Sequence, residues 1–551
     1  MKDLSKEILA YALHNAIEYN KTSPDRILPK LFQHGLKKEE IKEIMPKLQE
    51  IVKRVNSLKP EEIKKQFQEY KDIVKVHEEK PRELSELPNA NKKMVFRLAP
   101  FPSGALHIGN AKTYLLNALY AEKYKAKTLL IMDDTIGSEE KQSINEAYEL
   151  IQQGLDWLNV EYNKPIIYKS DRLKIYYDYA EQLIKKDKAY VCHCVQEILK
   201  ENRAKGIECG CRQFPVKEQL KRWKEIFKAK PGSAILRIKT SMQDPNPAFR
   251  DRVLFKISDR PHPRVKNKYR VWPTLEMTWA IDDHLLGITH VLRGNDLAIE
   301  SDMEKYIWDI FGWPHITLIH TGLVKIEGAE AKISKSKAQK EVLSGQFTGW
   351  DDPRTWSLQS LARRGIKPEA VREFVKEIGL NKQDIITPID SLYSINRKII
   401  DSSSNRYSFV ENPLELEIKN APSVKKIQIT IHPDKKETRE IEINKISISN
   451  KDFKALNGQE IRLLHLYNIK LGEPSKFTSS ENKEIPRINW TSNPVKTRIL
   501  MPEGNWVLGA AEQAISKLKP DQIIQFERFG FVRFDNFNQE TNTYDFWFAH
   551  K

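Results

Sequence analysis

Apolar residues over the first 88 positions recur three and four apart, with polar residues between them. In EEIKEIMPKLQEIVKRVNSL, Ile41, Ile44, Leu48, Ile51 and Val52 share one helical face. The pattern predicts an accessory module of short amphipathic helices over 1–88, with the polar stretch PRELSELPNANKK read as a linker. MVFRLAP (94–100) then concentrates apolar residues into a strand, followed by a loop punctuated by Pro and Gly and a helix over AKTYLLNALYAEKY. TLLIMDD (128–134) is a second strand that ends in two carboxylates. Strand, helix, strand in that order predicts a right-handed βαβ unit of a parallel sheet.

Helical patterns continue through 141–158 and 171–188, after which a basic segment interrupts the alternation until about residue 270. ITHVLRG (288–294) and HITLIHTG (315–322) restore strand-like runs around another helix. The basic segment therefore reads as an insertion between two halves of one nucleotide-binding sheet. Residues 351–381 are helical again. From about 390 the pattern turns to β alternation with turn signals, as in VKKIQITIHPDKKETREIEIN, with no long amphipathic helix, which predicts antiparallel barrels.

A chain of 551 residues is too long for one core, and 40% apolar with 30% charged residues excludes a mostly disordered protein. No apolar run approaches the ~20 residues that span a bilayer, and the start MKDLSKEILA lacks the pattern of a secretory signal, so an intracellular location is expected. Charge changes the picture more. The 91 basic residues exceed the 75 acidic ones by 16, and residues 201–270 alone hold 19 basic against 7 acidic, or +12 of that +16. Such an island suits a polyanion, and Arg252, Arg264, Lys266 and Lys268 within it are candidate phosphate contacts.

Two loops carry candidate chemistry. Pro100-Phe101-Pro102-Ser103-Gly104-Ala105-Leu106-His107-Ile108-Gly109-Asn110 lies between a strand and a helix, where backbone N–H groups and the helix dipole attract phosphate. A glycine lets a base approach the backbone, and His107 can donate a hydrogen bond to a phosphate oxygen. Ala331-Lys332-Ile333-Ser334-Lys335-Ser336-Lys337 offers lysines suited to neutralising charge on a phosphorus transition state. The pair resembles the HIGH and KMSKS signatures of class I aminoacyl-tRNA synthetases, 225 positions apart from His107 to Lys332. AIDDHLLGITHVLRG, WDDPRTWSLQSLARRGI and QFERFGFVRFD resemble blocks of the archaeal and eukaryotic type of glutamyl-tRNA synthetase, over about 91–551.

This resemblance implies a multidomain chain built on an α/β Rossmann-type class I synthetase core. The expected layout is a helical N-terminal module (1–88), the two core halves (91–190 and 271–340), an inserted acceptor-stem-binding domain (191–270), a helical connector (341–388) and C-terminal antiparallel β-barrels that bind the anticodon (389–551). It implies ATP-dependent activation of L-glutamate and transfer to glutamate tRNA, with ATP bound as its Mg²⁺ complex, and a need for bound tRNA before activation. His107, Lys332 and Lys335 would be catalytic; Pro100, Gly109 and Asn110 would join them around ATP. Arg97 and Arg293 would hold the carboxylates of glutamate, and Asp133 and Asp134 its ammonium. A glutaminyl enzyme and a catalytically silent tRNA-binding paralogue are the alternatives; Arg293 speaks against the first, His107 and Lys335 against the second. Glutamine tRNA is a further candidate substrate, and the N-terminal module a candidate contact for a protein partner. The sequence departs from the family pattern at Asn110, Ile333, Ile131, Ile136-Gly137 and Leu275, the last where relatives carry a pocket Tyr.

All four cysteines fall in Cys192-His193-Cys194 and Cys209-Gly210-Cys211. In a reducing cytoplasm that clustering points to a metal, with four thiolates around Zn²⁺ or with His193 replacing one of them. Near the C-terminus Phe526, Arg528, Phe529, Phe531 and Arg533 interleave aromatic and cationic side chains, either as a stacking surface for unpaired bases or as a barrel strand with one core face.

Overall fold

In the computed structural model the described residues are 3–19, 22–74, 83–91, 93–136, 142–327 and 335–551. They form two compact units, Met1–Arg82 and Glu83–Lys551.

The first unit is helical, as its periodicity predicts: α1 (Ser5–Tyr19), α2 (Pro24–Leu31), α3 (Ile41–Asn56) and α4 (Pro60–Tyr70). Ile8, Leu13, Ile27, Leu48, Val52 and Ile63 close one core between them. Asn56, at the end of α3, exchanges two 2.9 Å hydrogen bonds with the backbone of Thr22 and fixes the start of α2. The unit stops short of residue 88. Leu84 and Leu87 pack in the second unit, where the Leu87 N–H donates to the Tyr124 hydroxyl (2.8 Å), so this part of the expected linker is bound to the core.

In the second unit β1 (Val95–Leu98), α5 (Ile108–Tyr124), β2 (Lys127–Met132), α6 (Asn145–Trp157) and α7 (Leu173–Lys185) follow the apolar runs, and β3 (Asn163–Tyr168), between the last two, is a strand that the pattern did not predict. The chain then leaves the sheet through β4 (Ala189–Cys192), α8 (Gln196–Lys205), α9 (Val216–Ile226), β5 (Ile235–Ile238), β6 (Val253–Ile257) and β7 (Val271–Pro273). It returns with α10 (Leu275–Leu285), β8 (His290–Gly294), α11 (Ala298–Phe311) and β9 (Thr317–Thr321). The central sheet has the order β3-β2-β1-β8-β9 and every pairing in it is parallel. Counted along the chain within this sheet, that order is 3-2-1-4-5, the doubly wound arrangement whose direction reverses between β1 and β8. Phe96, Leu98, Leu130 and Leu292 of the sheet and Leu115 and Leu119 of α5 are buried in one cluster, each contributing roughly 2 kcal/mol by leaving water.

The inserted strands make an antiparallel sheet, β4-β5-β6-β7. Its apolar face is continuous with the core: Trp223, Leu236, Phe255 and Trp272 pack in one cluster with Leu183 of α7, Ile281 of α10 and Trp308 of α11. Side chains on both sides of residues 190 and 270 thus share one interior.

Beyond β9 come β10 (Val324–Glu327), α12 (Lys335–Leu343), α13 (Leu358–Arg364), α14 (Pro368–Ile378) and β11 (Ile385–Pro388), with β10 and β11 paired in parallel. The C-terminal part corrects two expectations. It opens with a helix, α15 (Ile389–Ile400), whose inner face buries Leu392, Asn396 and Ile400. Its sheets are mixed: Arg406–Tyr407 pairs parallel with Ile523–Phe526, and Val495–Leu500 parallel with Thr543–His550, inside an otherwise antiparallel seven-stranded sheet. Alternation reports which face of a strand is buried and carries no information on the direction of its neighbour.

Candidate functional site

In a doubly wound sheet ligands bind outside the carboxyl ends of the strands, where the order reverses. A cavity of about 1100 Å³ lies at that place, lined by Arg97 and Ala99 from the end of β1 and by Arg293, Gly294 and Asp296 from the end of β8. Ser103, His107, Gly109 and Asn110 line it from the loop and the first turn of α5, and Leu323, Val324, Lys325 and Ile326 from β10 and the residue before it.

His107 is the N-cap of α5. Its N–H donates to the Asn110 side-chain oxygen (3.0 Å), and its Nδ1 accepts from the Asn110 N–H (3.3 Å). This reciprocal cap explains why an amide serves at position 110, and in the neutral ring it leaves the proton on Nε2. Gly104 has φ +153°, and a Cβ there would lie 2.1 Å from the Trp350 ring, so the loop closes only with glycine. Pro100 stands outside the cavity lining; its carbonyl accepts from the Asp133 N–H (3.0 Å) and ties the loop to the end of β2. Lys332 lies outside the described residues. Lys335 begins α12, and its side chain is likewise outside them.

The expected amino-acid residues are brought together with one exception. Arg97 donates through Nε and Nη2 to Asp283, the latter bond 3.1 Å long. Arg293 donates to Glu304 from both terminal nitrogens (2.6 and 3.2 Å) and to Ser301 Oγ (3.1 Å). Asp133 Oδ1 lies 2.8 Å from Lys169 Nζ. All three cations surround the ring of Trp279, at 5.1, 4.7 and 5.4 Å from its centre for Arg97, Arg293 and Lys169. Burial pushes the Glu304 carboxyl up and the Arg293 guanidinium draws it back down, with a net rise. Asp134 is the exception. Its carboxylate accepts from the Tyr148 hydroxyl (3.0 Å) and from the Ser170 N–H (2.9 Å) and hydroxyl (2.7 Å), away from the cavity. The two aspartates just beyond β2 diverge, Asp133 to the cavity and Asp134 to the interior beside Ser170.

Trp279, Asp283, Glu304 and Lys169 were not among the expected residues. For two of them a signal existed: Leu275, Trp279 and Asp283 recur four apart in α10 and present one helical face, and all but Asp283 line the cavity.

The charge island is partly committed to the fold. Arg252 lies at the cavity wall and donates to Glu276 and, at 3.0 Å, to Glu300. Arg264 pairs with Asp171 (2.9 Å) and lies 3.6 Å from the centre of the Tyr168 ring. Lys266 and Lys268 are exposed. At the C-terminus, Phe526 and Phe531 are core residues, and Phe529 packs edge-on against Phe409 and Phe548. Arg533 pairs with Asp535 (2.8 Å). The stretch is a β-hairpin and neither a single strand nor an alternating face: Phe526 ends the strand Ile523–Phe526, Arg528 and Phe529 lie in the turn, and Phe531 and Arg533 belong to the antiparallel strand Gly530–Asn538.

The cysteines converge. The four Sγ atoms lie within 4.8 Å of one another, with Cys194 and Cys192 at 3.3 and 3.6 Å from Cys209. Those separations are far too long for a disulfide and close to the ~3.8 Å edge of a tetrahedron with Zn–S bonds of about 2.3 Å. His193 turns aside, its Nδ1 3.1 Å from the Ser233 carbonyl. Burial raises the Cys194 thiol to about 11.

The catalytic domain of "tRNA synthetases class I (E and Q)" matches residues 93–402, and two anticodon-binding domains of the same group match 404–491 and 478–535. A glutamate–tRNA ligase of Methanocaldococcus jannaschii is 38% identical, covering 97% of this chain and 98% of its own. One of Pyrococcus abyssi is 40% identical, covering 98% of each. A solved glutamate tRNA ligase from Elizabethkingia meningosepticum, in complex with its amino acid, is 20% identical over 57% of this chain and 70% of its own, with a TM-score of 0.41. With its catalytic domain matched across the whole doubly wound sheet and its relatives matched nearly end to end, the chain belongs to the class I tRNA synthetases of the E and Q group.

Proposed function

We propose that the protein is a glutamate–tRNA ligase, which activates L-glutamate with ATP and transfers it to the 3′ end of glutamate tRNA. The observation that carries this reading is the buried pair of guanidinium groups, Arg97 and Arg293, lining one cavity with the His107 loop. Glutamate brings two carboxylates, and planar guanidinium forks suit both.

The α-carboxylate of glutamate attacks the α-phosphorus of ATP and pyrophosphate leaves; the terminal ribose hydroxyl of the tRNA then attacks the adenylate carbonyl and AMP leaves. Neither step needs an enzyme nucleophile. The protein aligns the reactants and stabilises developing charge: Nε2 of His107 donates to phosphate, Gly109 and Asn110 bound the nucleotide, and Lys332 and Lys335 balance the departing pyrophosphate. Asp133, held by Lys169, takes the substrate ammonium. Mg²⁺ bound with ATP would screen the β- and γ-phosphates. In the insert, Cys192, Cys194, Cys209 and Cys211 would hold a structural Zn²⁺ in a closed site, with His193 outside it.

Pyrophosphate exchange with glutamate and with glutamine, each with and without tRNA, tests the reading. Exchange with glutamate that depends on tRNA is expected, and a preference for glutamine would overturn the substrate assignment. Lys335→Ala should lower the exchange rate about a hundredfold, or roughly 3 kcal/mol, with little change in ATP affinity. Normal turnover with weakened ATP binding would refute that role.

A further inference from the structure

One buried cation in the core unit has no part in the chemistry above. Lys112 sits on α5, five residues after His107, and is 4% exposed. Its ammonium donates to the Gly322 carbonyl (2.9 Å). Gly322 is where the chain leaves the central sheet after β9 and turns into β10. That turn is tightly built. The Gly322 N–H donates to the Asn381 carbonyl (2.6 Å), and a Cβ on Gly322 would lie 1.9 Å from the Gln383 carbonyl oxygen. The next N–H, of Leu323, donates to Asp384 Oδ1 (2.8 Å), after which β10 runs in register with β11. Leu323, Val324, Lys325 and Ile326 then line the cavity, and the same strand leads in sequence to Lys332 and Lys335.

We infer that Lys112 is a positioning residue for the nucleotide site: it couples the helix capped by His107 to the turn that sets the β10 wall. The inference rests on the proposed reading of that cavity as the adenylation site. A lysine taken from water carries a desolvation cost, and here a single carbonyl and the field of Asp384 offset it. Burial lowers the Lys112 ammonium to about 8, with Asp384 opposing the shift. The clamp is therefore charged, and strongest, below that pH, and it weakens as the proton is lost.

The direction separates this effect from unfolding. A lysine whose folded pKa lies below its unfolded value makes the unfolded state bind more protons between about 8 and 10.5, so its own contribution to stability rises with pH across that window. Activity that falls there falls against the trend in stability.

The test is tRNA-dependent pyrophosphate exchange from pH 6.5 to about 9.5 for wild type, Lys112→Arg, Lys112→Met and Asp384→Asn, with kcat, KM for ATP and thermal unfolding measured together. Wild type should show a basic limb near pH 8. Lys112→Arg, which stays protonated, should move that limb up by more than about one unit. Asp384→Asn, which keeps the acceptor for Leu323 and removes the charge, should move it down. Lys112→Met should lower kcat roughly tenfold or more and raise KM for ATP, with KM for glutamate little changed. Wild-type constants in folded Lys112→Met overturn the inference, as does a basic limb that neither Lys112→Arg nor Asp384→Asn displaces. Wild-type protein that does not activate glutamate would instead refute the reading on which it rests.

Discussion

Each cation around Trp279 is already paired: Arg97 with Asp283, Arg293 with Glu304 and Lys169 with Asp133. These pairs balance the three cations and hold both guanidinium groups in place. Arg97 uses Nε and Nη2 on Asp283, which leaves Nη1 without a partner among the described residues. Removing one member of a buried pair strands the other, at a cost of about 3–5 kcal/mol. Arg293→Cys should therefore lower the melting temperature as well as glutamate charging, and shift relative preference towards glutamine. Adding Glu304→Gln should recover much of the stability without recovering glutamate charging. Thermal unfolding and charging of both amino acids by the single and double variants would check this; a single variant as stable as wild type would mean that the pair contributes little.

Two elements behave as local units with their own chemistry. The four thiols join β4, the segment before α8 and the 3₁₀ turn Gly210–Gln213. Purified protein should carry about one Zn²⁺ per chain, and stripping it should loosen the insert and weaken tRNA binding. Elemental analysis of protein prepared without chelator decides the point, and absence of metal would refute the site. The other element is the C-terminal strand, Thr543–His550. His550 is fully buried, its Nε2 accepting from the Asn396 amide (2.9 Å) on α15 while Nδ1 faces the Lys551 carbonyl (3.0 Å). Burial lowers its pKa from 6.5 to about 4. The unfolded state then binds the extra proton first, so the stability His550 contributes is present above 6.5 and lost as pH falls towards 4. The expected loss is on the order of 2–3 kcal/mol. Denaturant unfolding between pH 7 and 4 should show this slope, reduced in His550→Phe.

For the whole molecule, the net charge of +16 governs how tRNA is met, yet only part of it is free to do so. Arg252 is committed to Glu276 and Glu300 at the cavity wall, and Arg264 stacks on Tyr168 and pairs with the exposed Asp171, whereas Lys266 and Lys268 are exposed. Lys266→Ala with Lys268→Ala should reduce the salt dependence of tRNA binding by roughly one unit of slope for each phosphate that these lysines neutralise. Arg264→Ala should act mainly on stability, through its ion pair with Asp171 and its packing on Tyr168. Binding isotherms from 50 to about 300 mM salt separate the two effects, and an unchanged slope in the double lysine variant would place those charges away from tRNA.

The sequence alone determined what depends on neighbours in the chain. Helical and strand periodicity located α3, β1, α5, β2, α6 and α7 and the helical character of the N-terminal module, because burial of one face repeats every 3.6 or 2 residues. The His107 loop, the lysine run and the paired C-x-C ribbons were legible as short motifs whose spacing is their chemistry. Tertiary structure decided whatever depends on partners far away in sequence. Arg97 and Asp283 are 186 residues apart, Asn396 and His550 154 apart, and Lys112 and Gly322 210 apart. It also decided that Asp134 faces the interior while Asp133 faces the cavity, that the insert shares a core with α7, α10 and α11, and that the C-terminal sheets mix parallel with antiparallel pairs. Apolar patterning fixes which side of an element is buried. Which residue meets a buried charge is chosen afterwards, by the packing that brings distant segments together and by the cost of leaving that charge alone.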